Sequence, residues 1–349
     1  MSAVAVHPGT TGTSAWDSIK RFLDAKAMLL PTFAALVIFV GMLVYGQAEY
    51  GLLVSGGSMQ WGTISNLLLN NAHMIILAVG MTFVILTGGI DLSVGAVIAF
   101  SSLAGVMLTN AGLNGWLAMI VMVLVGTLFG LFSGVLIQYF NFQPFIATLA
   151  TMFLARGLAS MLSTDPQRVD ADSPIKLVSA DIKLIDGPKV NDLIVTPGVL
   201  AAILVVALGF WVLHRTRTGR TVYAIGGSET SAALMGLPVV RTKLFIYTMS
   251  GTMAGLAGLV YTAELGKAQN ITGTGWELDA IAATVIGGTL LTGAFGYVLG
   301  SVVGALVLGL MTVLITRNGA IPSEWTTIIT GAILLVFVLL QRAITLRRK

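Results

Sequence analysis

MIILAVGMTFVILTGGIDLSVGAVIAFSSLAGVML, residues 74–108, sets the reading of the whole chain. It joins two apolar runs, 66–87 and 91–109, each long enough to cross ~30 Å of hydrocarbon as a helix, through a break at Gly88-Gly89. The runs are continuous and do not alternate with polar residues. They therefore predict helices and not barrel strands, since only a helix pairs every N–H and C=O within its own segment in lipid. Similar runs recur at 28–46, 116–139, 144–162, 197–214, 243–263, 279–291, 295–316 and 325–341. The fold class expected is all-α: a polytopic membrane protein of about ten transmembrane helices. With 56% hydrophobic and only 10% charged residues in 349, the chain cannot give a globule of this size a polar exterior.

The break at Gly88-Gly89 has an echo. Val285 to Leu308 reads like Ile85 to Leu108, with Gly287-Gly288 in place of Gly88-Gly89, which predicts an internal repeat. The 279–291 run is too short to cross alone, as expected of a broken helix beside a transport pathway. Gly126, Gly130 and Gly134 fall on one helix face, as do Gly251 with Gly255 and Gly300 with Gly304. Small residues at this spacing let membrane helices approach closely.

Basic residues orient the chain. Lys20, Arg21 and Lys26 precede the first run; Arg215, Arg217, Arg220, Arg241 and Lys243 follow the sixth; Arg342, Arg347, Arg348 and Lys349 close the sequence. Positive-inside bias makes all three segments cytoplasmic, with both termini inside. The outward loop 163–196 carries four basic residues against six aspartates. The expected organisation is a cytoplasmic tail at 1–26, a membrane domain at 27–342 holding a periplasmic loop (163–196) and a cytoplasmic loop (215–243), and a basic tail at 343–349.

Several function classes fall away. The chain has no cysteine, and His7, His73 and His214 make no metal motif. The only Gly-Lys pair, Gly266-Lys267, has Tyr261 where a nucleotide-binding loop needs glycine. No nucleophile elbow, HExxH or paired carboxylate is present, so no catalytic residue is expected. The net charge of +4 lies at span ends, where it serves orientation and not nucleic acid.

Inside the basic cytoplasmic loop, VYAIGGSETSAALMG (222–236) reads as a short helix: Ser228 as cap, Glu229 in the first turn, Gly236 at the end and Pro238 blocking continuation. Its outward residues read as small, suited to a groove on a partner protein. This segment, together with TGGIDLSVG (87–95), QPFIATLATMFLARG (143–157) and ELDAIAATVIGGTLLTG (277–293), resembles the permease subunits of bacterial ATP-binding-cassette importers for simple sugars, of the ribose and xylose type. The likeness runs from about residue 30 to 342 and is nearest to galactofuranose permeases; many relatives carry Asn where this chain has Ser228. The resemblance implies a fold like the membrane subunit of the vitamin B12 importer, in the bacterial inner membrane, working as a homo- or heterodimer of permeases. Two cytoplasmic ATPases, which bind the ATP and Mg, would seat on 226–237 through Gly226, Gly227, Ser228, Glu229, Ala232, Ala233, Met235 and Gly236. A periplasmic sugar-binding protein would deliver substrate, and no cofactor is expected in this chain.

Polar residues inside spans are costly and mark candidate pathway positions. Asn66, Asn70 and His73 share a face of the second span, where amide and imidazole groups suit sugar hydroxyls. Asp91 follows the first break and is expected to cap the next helix. Arg156, in mid-span, needs a partner or water; Asp91, Glu277 and Asp279 are the available acids, and a structural ion pair is expected ahead of direct substrate contact. Glu277 and Asp279 precede the broken segment and are expected to cap it or line its mouth. The rival reading is an ion-coupled secondary transporter, which would need buried coupling carboxylates.

Overall fold

The structure is a computed structural model describing residues 30–55, 58–185, 192–319, 322 and 325–346. The basic N-terminal tail and Arg347, Arg348 and Lys349 lie outside the described residues. Each predicted run has its helix: α1 (Leu30–Tyr50), α2 (Trp61–Leu86), α3 (Val94–Asn110), α4 (Gly115–Tyr139), α5 (Pro144–Leu162) and α6 (Pro197–Arg215) in the first part. The basic loop after α6 forms two more, α7 (Arg217–Gly227) and α8 (Glu229–Leu234), before α9 (Val239–Leu265), α10 (Trp276–Ile286), α11 (Val298–Asn318) and α12 (Trp325–Leu346). Eight of these are long and apolar enough to cross a membrane. The short ones among the ten are α3 and α10; at 1.5 Å per residue, α10 spans only ~16 Å.

At the centre stands α2, buried on every side from Met74 to Leu86 and packed by α9, α11, α6 and α10. Peripheral helices instead turn large apolar side chains outward, among them Phe33, Leu128, Phe153, Leu204 and Leu335, as a surface facing lipid requires. The glycine faces pack as their spacing predicts. A Cβ on Gly251 would lie 2.6 Å from the Gly130 Cα and closer still to the Gly126 carbonyl, so α4 and α9 touch backbone to backbone. Likewise Gly300 and Gly304 meet Gly287 and Ala283, pressing α11 onto α10.

Both predicted breaks are real, and they meet. Gly88 and Gly288 each adopt a left-handed backbone, with φ of 76° and 97°, which stops α2 and α10 before the chain re-enters the bundle. The Ala294 N–H, in the second break, donates to the Leu86 carbonyl at the first over 2.9 Å. Three other helices hold these loops: the Thr32 hydroxyl of α1 donates to Gly287 O (2.7 Å), the Gln341 amide of α12 donates to Val285 O (3.0 Å) and Thr289 O (3.2 Å), and the Thr148 hydroxyl of α5 donates to Ile90 O (3.2 Å).

The long loop after α5 is folded. β3 (Gln167–Arg168) pairs antiparallel with β6 (Lys267–Ala268), a 3-10 turn spans Pro174–Ser179, and β4 (Ile182–Ile185) pairs with β5 (Leu193–Val195). A further two-stranded ladder joins β1 (Val54–Ser55) to β2 (Ser58–Met59). Gly266-Lys267 is a left-handed helix end leading into β6.

Candidate functional site

One end of the bundle, beside the 163–196 loop, holds a cavity of about 470 Å³ between α2, α10, α11 and α12. That end is fixed by Ser65, whose hydroxyl accepts from Ile194 N at 2.8 Å. Of the residues singled out from sequence, Asn70, His73 and Asp279 line the cavity together. Asn66 lies one turn away, exposed and outside the lining. Asn71, which the sequence groups with these asparagines but not on their shared face, also lines the cavity, and sequence reasoning missed Trp276 and the threonines Thr312, Thr316, Thr326, Thr327 and Thr330. Thr312 with Thr316 and Thr326 with Thr330 stand four apart in otherwise apolar runs, a spacing that puts their hydroxyls on one face and could have revealed them. His73 sits between two rings, its centroid 4.5 Å from Trp276 and 5.0 Å from Tyr261.

The other predicted polar residues do not join this cavity. Asp91 is fully buried: one carboxylate oxygen accepts from the Ser93 N–H (2.9 Å) and hydroxyl (2.6 Å), the other from the Ser250 hydroxyl of α9 (2.7 Å). The N-cap of α3 is Ser93, so Asp91 holds the turn ahead of α3 in place of the cap expected of it, and ties the first break to α9. Arg156 departs from expectation. It has no ion-pair contact among the described residues; its guanidinium donates to Asn270 O (2.6 Å) and Thr272 O (2.8 Å), so the turn before α10 supplies carbonyls in place of an acid. Glu277 lies near enough to attract it.

Neither acid caps α10 by a hydrogen bond, a second correction. The cap position is Gly275, and Glu277 and Asp279 lie in the first turn, where their charge suits the helix dipole. One oxygen of Glu277 is buried without a hydrogen-bond partner, against Gly95.

The opposite end carries the basic loop, and the helix expected from Ser228 to Gly236 is there as α8, preceded by α7, which has no counterpart in the sequence reading. Ser228 closes α7 and opens α8, its hydroxyl accepting from Ser231 N at 3.2 Å. Ala232 points inward with Ile225 and Val239, contrary to the expectation that it faces a partner. Outward residues are also not all small, since Leu234 is 84% and Met235 68% exposed. Glu229 and Lys243 form an ion pair of 2.5 Å that pins α8 to α9. Gly226 is a packing residue and not part of the free surface: a Cβ there would strike Leu86 O and Ala294 N, the two ends of the bond joining the breaks. Three residues earlier on the same face, the Tyr223 hydroxyl donates to Gly296 O at 2.6 Å. So α7 is seated directly on both breaks, through residues that sequence spacing alone did not connect.

A bundle of apolar helices, interrupted at two meeting points and gripped there by an amphipathic helix at one face, is the architecture of a multi-pass membrane permease. The chain belongs to the family described as branched-chain amino acid transport system / permease component, which it matches over residues 63–338. It is 55% identical to the fructose import permease FruG of Bifidobacterium longum, across 93% of this chain and 94% of that protein. Its identity to the inner membrane ABC transporter permease YjfF of Escherichia coli is 41% (89% of this chain, 92% of that one), and to the ribose import permease RbsC of the same organism 36% (83% and 89%). No solved structure matches the chain.

Proposed function

We propose that this chain is the membrane-spanning subunit of an ATP-driven importer that carries a monosaccharide inward by alternating access. The observation that carries the reading is the seating of α7 on both helix breaks, through Gly226 against Leu86 and Ala294 and through Tyr223 on Gly296. A push on the α7–α8 pair from the cytoplasm reaches both interrupted helices without passing through a flexible linker. ATP and Mg belong to a partner ATPase, which docks on the exposed Ser228, Glu229, Ala233 and Met235. A second permease subunit completes the pathway, and a periplasmic binding protein delivers sugar to the end that holds the cavity and the folded 163–196 loop. Both termini lie in the cytoplasm, by the distribution of basic residues.

Support for a monosaccharide comes from relatives named for fructose and ribose. Galactofuranose belongs to the same chemical class and draws its support from the 226–236 and 277–293 segments alone. An ion-coupled carrier is less favoured, since relatives that align along most of the chain are named as import permeases and as an ABC transporter permease. The test is reconstitution of the permease with its ATPase and binding protein in vesicles. Labelled sugar should accumulate with ATP and stop when the ATPase is inactivated; uptake sustained by an ion gradient alone refutes the proposal. Crosslinkers at Glu229 or Ala233 should capture the ATPase, and failure in an active complex refutes the docking assignment.

A further inference from the structure

The polar groups lining the outer cavity divide into two sets. Asn71 donates its amide to Leu67 O (2.8 Å), and the Thr312 hydroxyl donates to Leu308 O (3.1 Å), so both are occupied by their own helix. The side chains of Asn70, His73, Trp276 and Asp279 make no hydrogen bond among the described residues. These four converge from two helices, α2 and α10, onto one cavity. A carboxylate and an amide offer acceptors and donors to hydroxyls, and the indole, packed against His73 and Tyr261, adds apolar surface and one N–H. The volume of about 470 Å³ lies in the range of small-molecule sites and admits one sugar ring with a few waters. Asp279 is the only charged residue in the lining, and no Lys or Arg is among the described residues there.

We propose that this cavity is a sugar-binding site of the permease itself, with Asp279 and Asn70 reading adjacent hydroxyls, Trp276 covering an apolar ring face, and the carboxylate excluding anionic sugars. The site rests on the reading of the chain as a monosaccharide importer and adds to it a second point of selection, after the delivering protein. Binding is weak, on the order of millimolar, because a conduit must release what it takes up.

The experiment uses the intact permease–ATPase complex in lipid nanodiscs, without ATP or binding protein, titrated with fructose, ribose, galactose, xylose and glucuronate. Ligand-observed saturation-transfer NMR reads occupancy. At least one neutral sugar should give a saturable signal, with glucuronate neither binding nor competing. Asp279→Asn and Trp276→Leu should each weaken that binding about tenfold, with Asp279→Glu recovering part of it; size-exclusion profiles score folding. The wild-type comparison of neutral and anionic sugars stands even if a variant fails to fold. No saturable signal from any neutral sugar, equal binding of glucuronate, or unchanged binding in both folded variants overturns the proposal. ATP-driven uptake by the same complex separates the two readings: uptake without binding here removes this site alone, whereas binding without ATP-driven uptake supports the site and removes the importer assignment.

Discussion

Replacing Gly226 by alanine tests whether α7 drives the helix breaks. The new methyl group would meet Leu86 O and Ala294 N, and would lie 3.0 Å from the Ala294 Cα, all of them main-chain atoms without rotamers to yield. Overpacking of this kind costs ~1–3 kcal/mol. Displacing the 2.9 Å bond between Ala294 and Leu86 adds ~1 kcal/mol. Alanine's better helix propensity returns up to ~1 kcal/mol. The net is about 2 kcal/mol against the conformation described here, which shifts an equilibrium between two transport states by a factor of about 30. Gly227→Ala is the matched control: its Cβ meets nothing within 4 Å, and it sits on the same turn. In vesicles holding the whole complex, sugar moved per ATP hydrolysed should fall at least about tenfold for Gly226→Ala and stay within about twofold for Gly227→Ala. Equal effects of the two substitutions, or undiminished transport by Gly226→Ala, would refute the argument that force passes through this contact.

Three further outcomes follow from the packing. Gly251→Ala should force α4 and α9 apart at a cost of ~1–3 kcal/mol and lower the melting midpoint in detergent, while Gly157→Ala, with open space around it, should not. Ser250→Ala leaves one oxygen of buried Asp91 without its partner, at a cost of ~1–3 kcal/mol, and should also lower the midpoint; Ser250→Thr should retain most of the stability. Arg156→Met deletes both donors to the turn before α10, so amide exchange across 270–276 should speed up at least about tenfold in hydrogen-exchange mass spectrometry.

Much of this architecture is legible in the sequence because lipid imposes simple rules on it. Apolar runs became helices, glycines four apart became helix crossings, and Gly88-Gly89 and Gly287-Gly288 became breaks, since each outcome depends on residues close in the chain. The bond from Asp91 to Ser93, two residues on, is local in the same way, but it makes a turn and not the cap expected, since the N-cap of α3 is Ser93. What failed to read was tertiary. The carbonyls that receive Arg156 come from residues more than a hundred positions away and carry no side-chain signature, whereas acids do. The residues that bound α8, Ser228 and Gly236, are local and readable, whereas α7 is placed by its packing on the two breaks, which no local signal carries. Ala232 turned inward because so short a helix must bury something, and Ile225 and Val239 lie beneath it. The cavity combined α2 with α10, α11 and α12, and only the fold brings Asn70 to Asp279.

The central helix invites a thought about synthesis. Its inner stretch, Met74 to Leu86, touches only protein in the finished bundle, yet α9 and α11, which cover it, are translated well over a hundred residues later. During that interval α2 has no neighbours to hide behind and must reside among acyl chains. Its greasiness therefore serves the nascent chain more than the mature one, and a polar substitution there would be felt first at the translocon, before any packing partner exists.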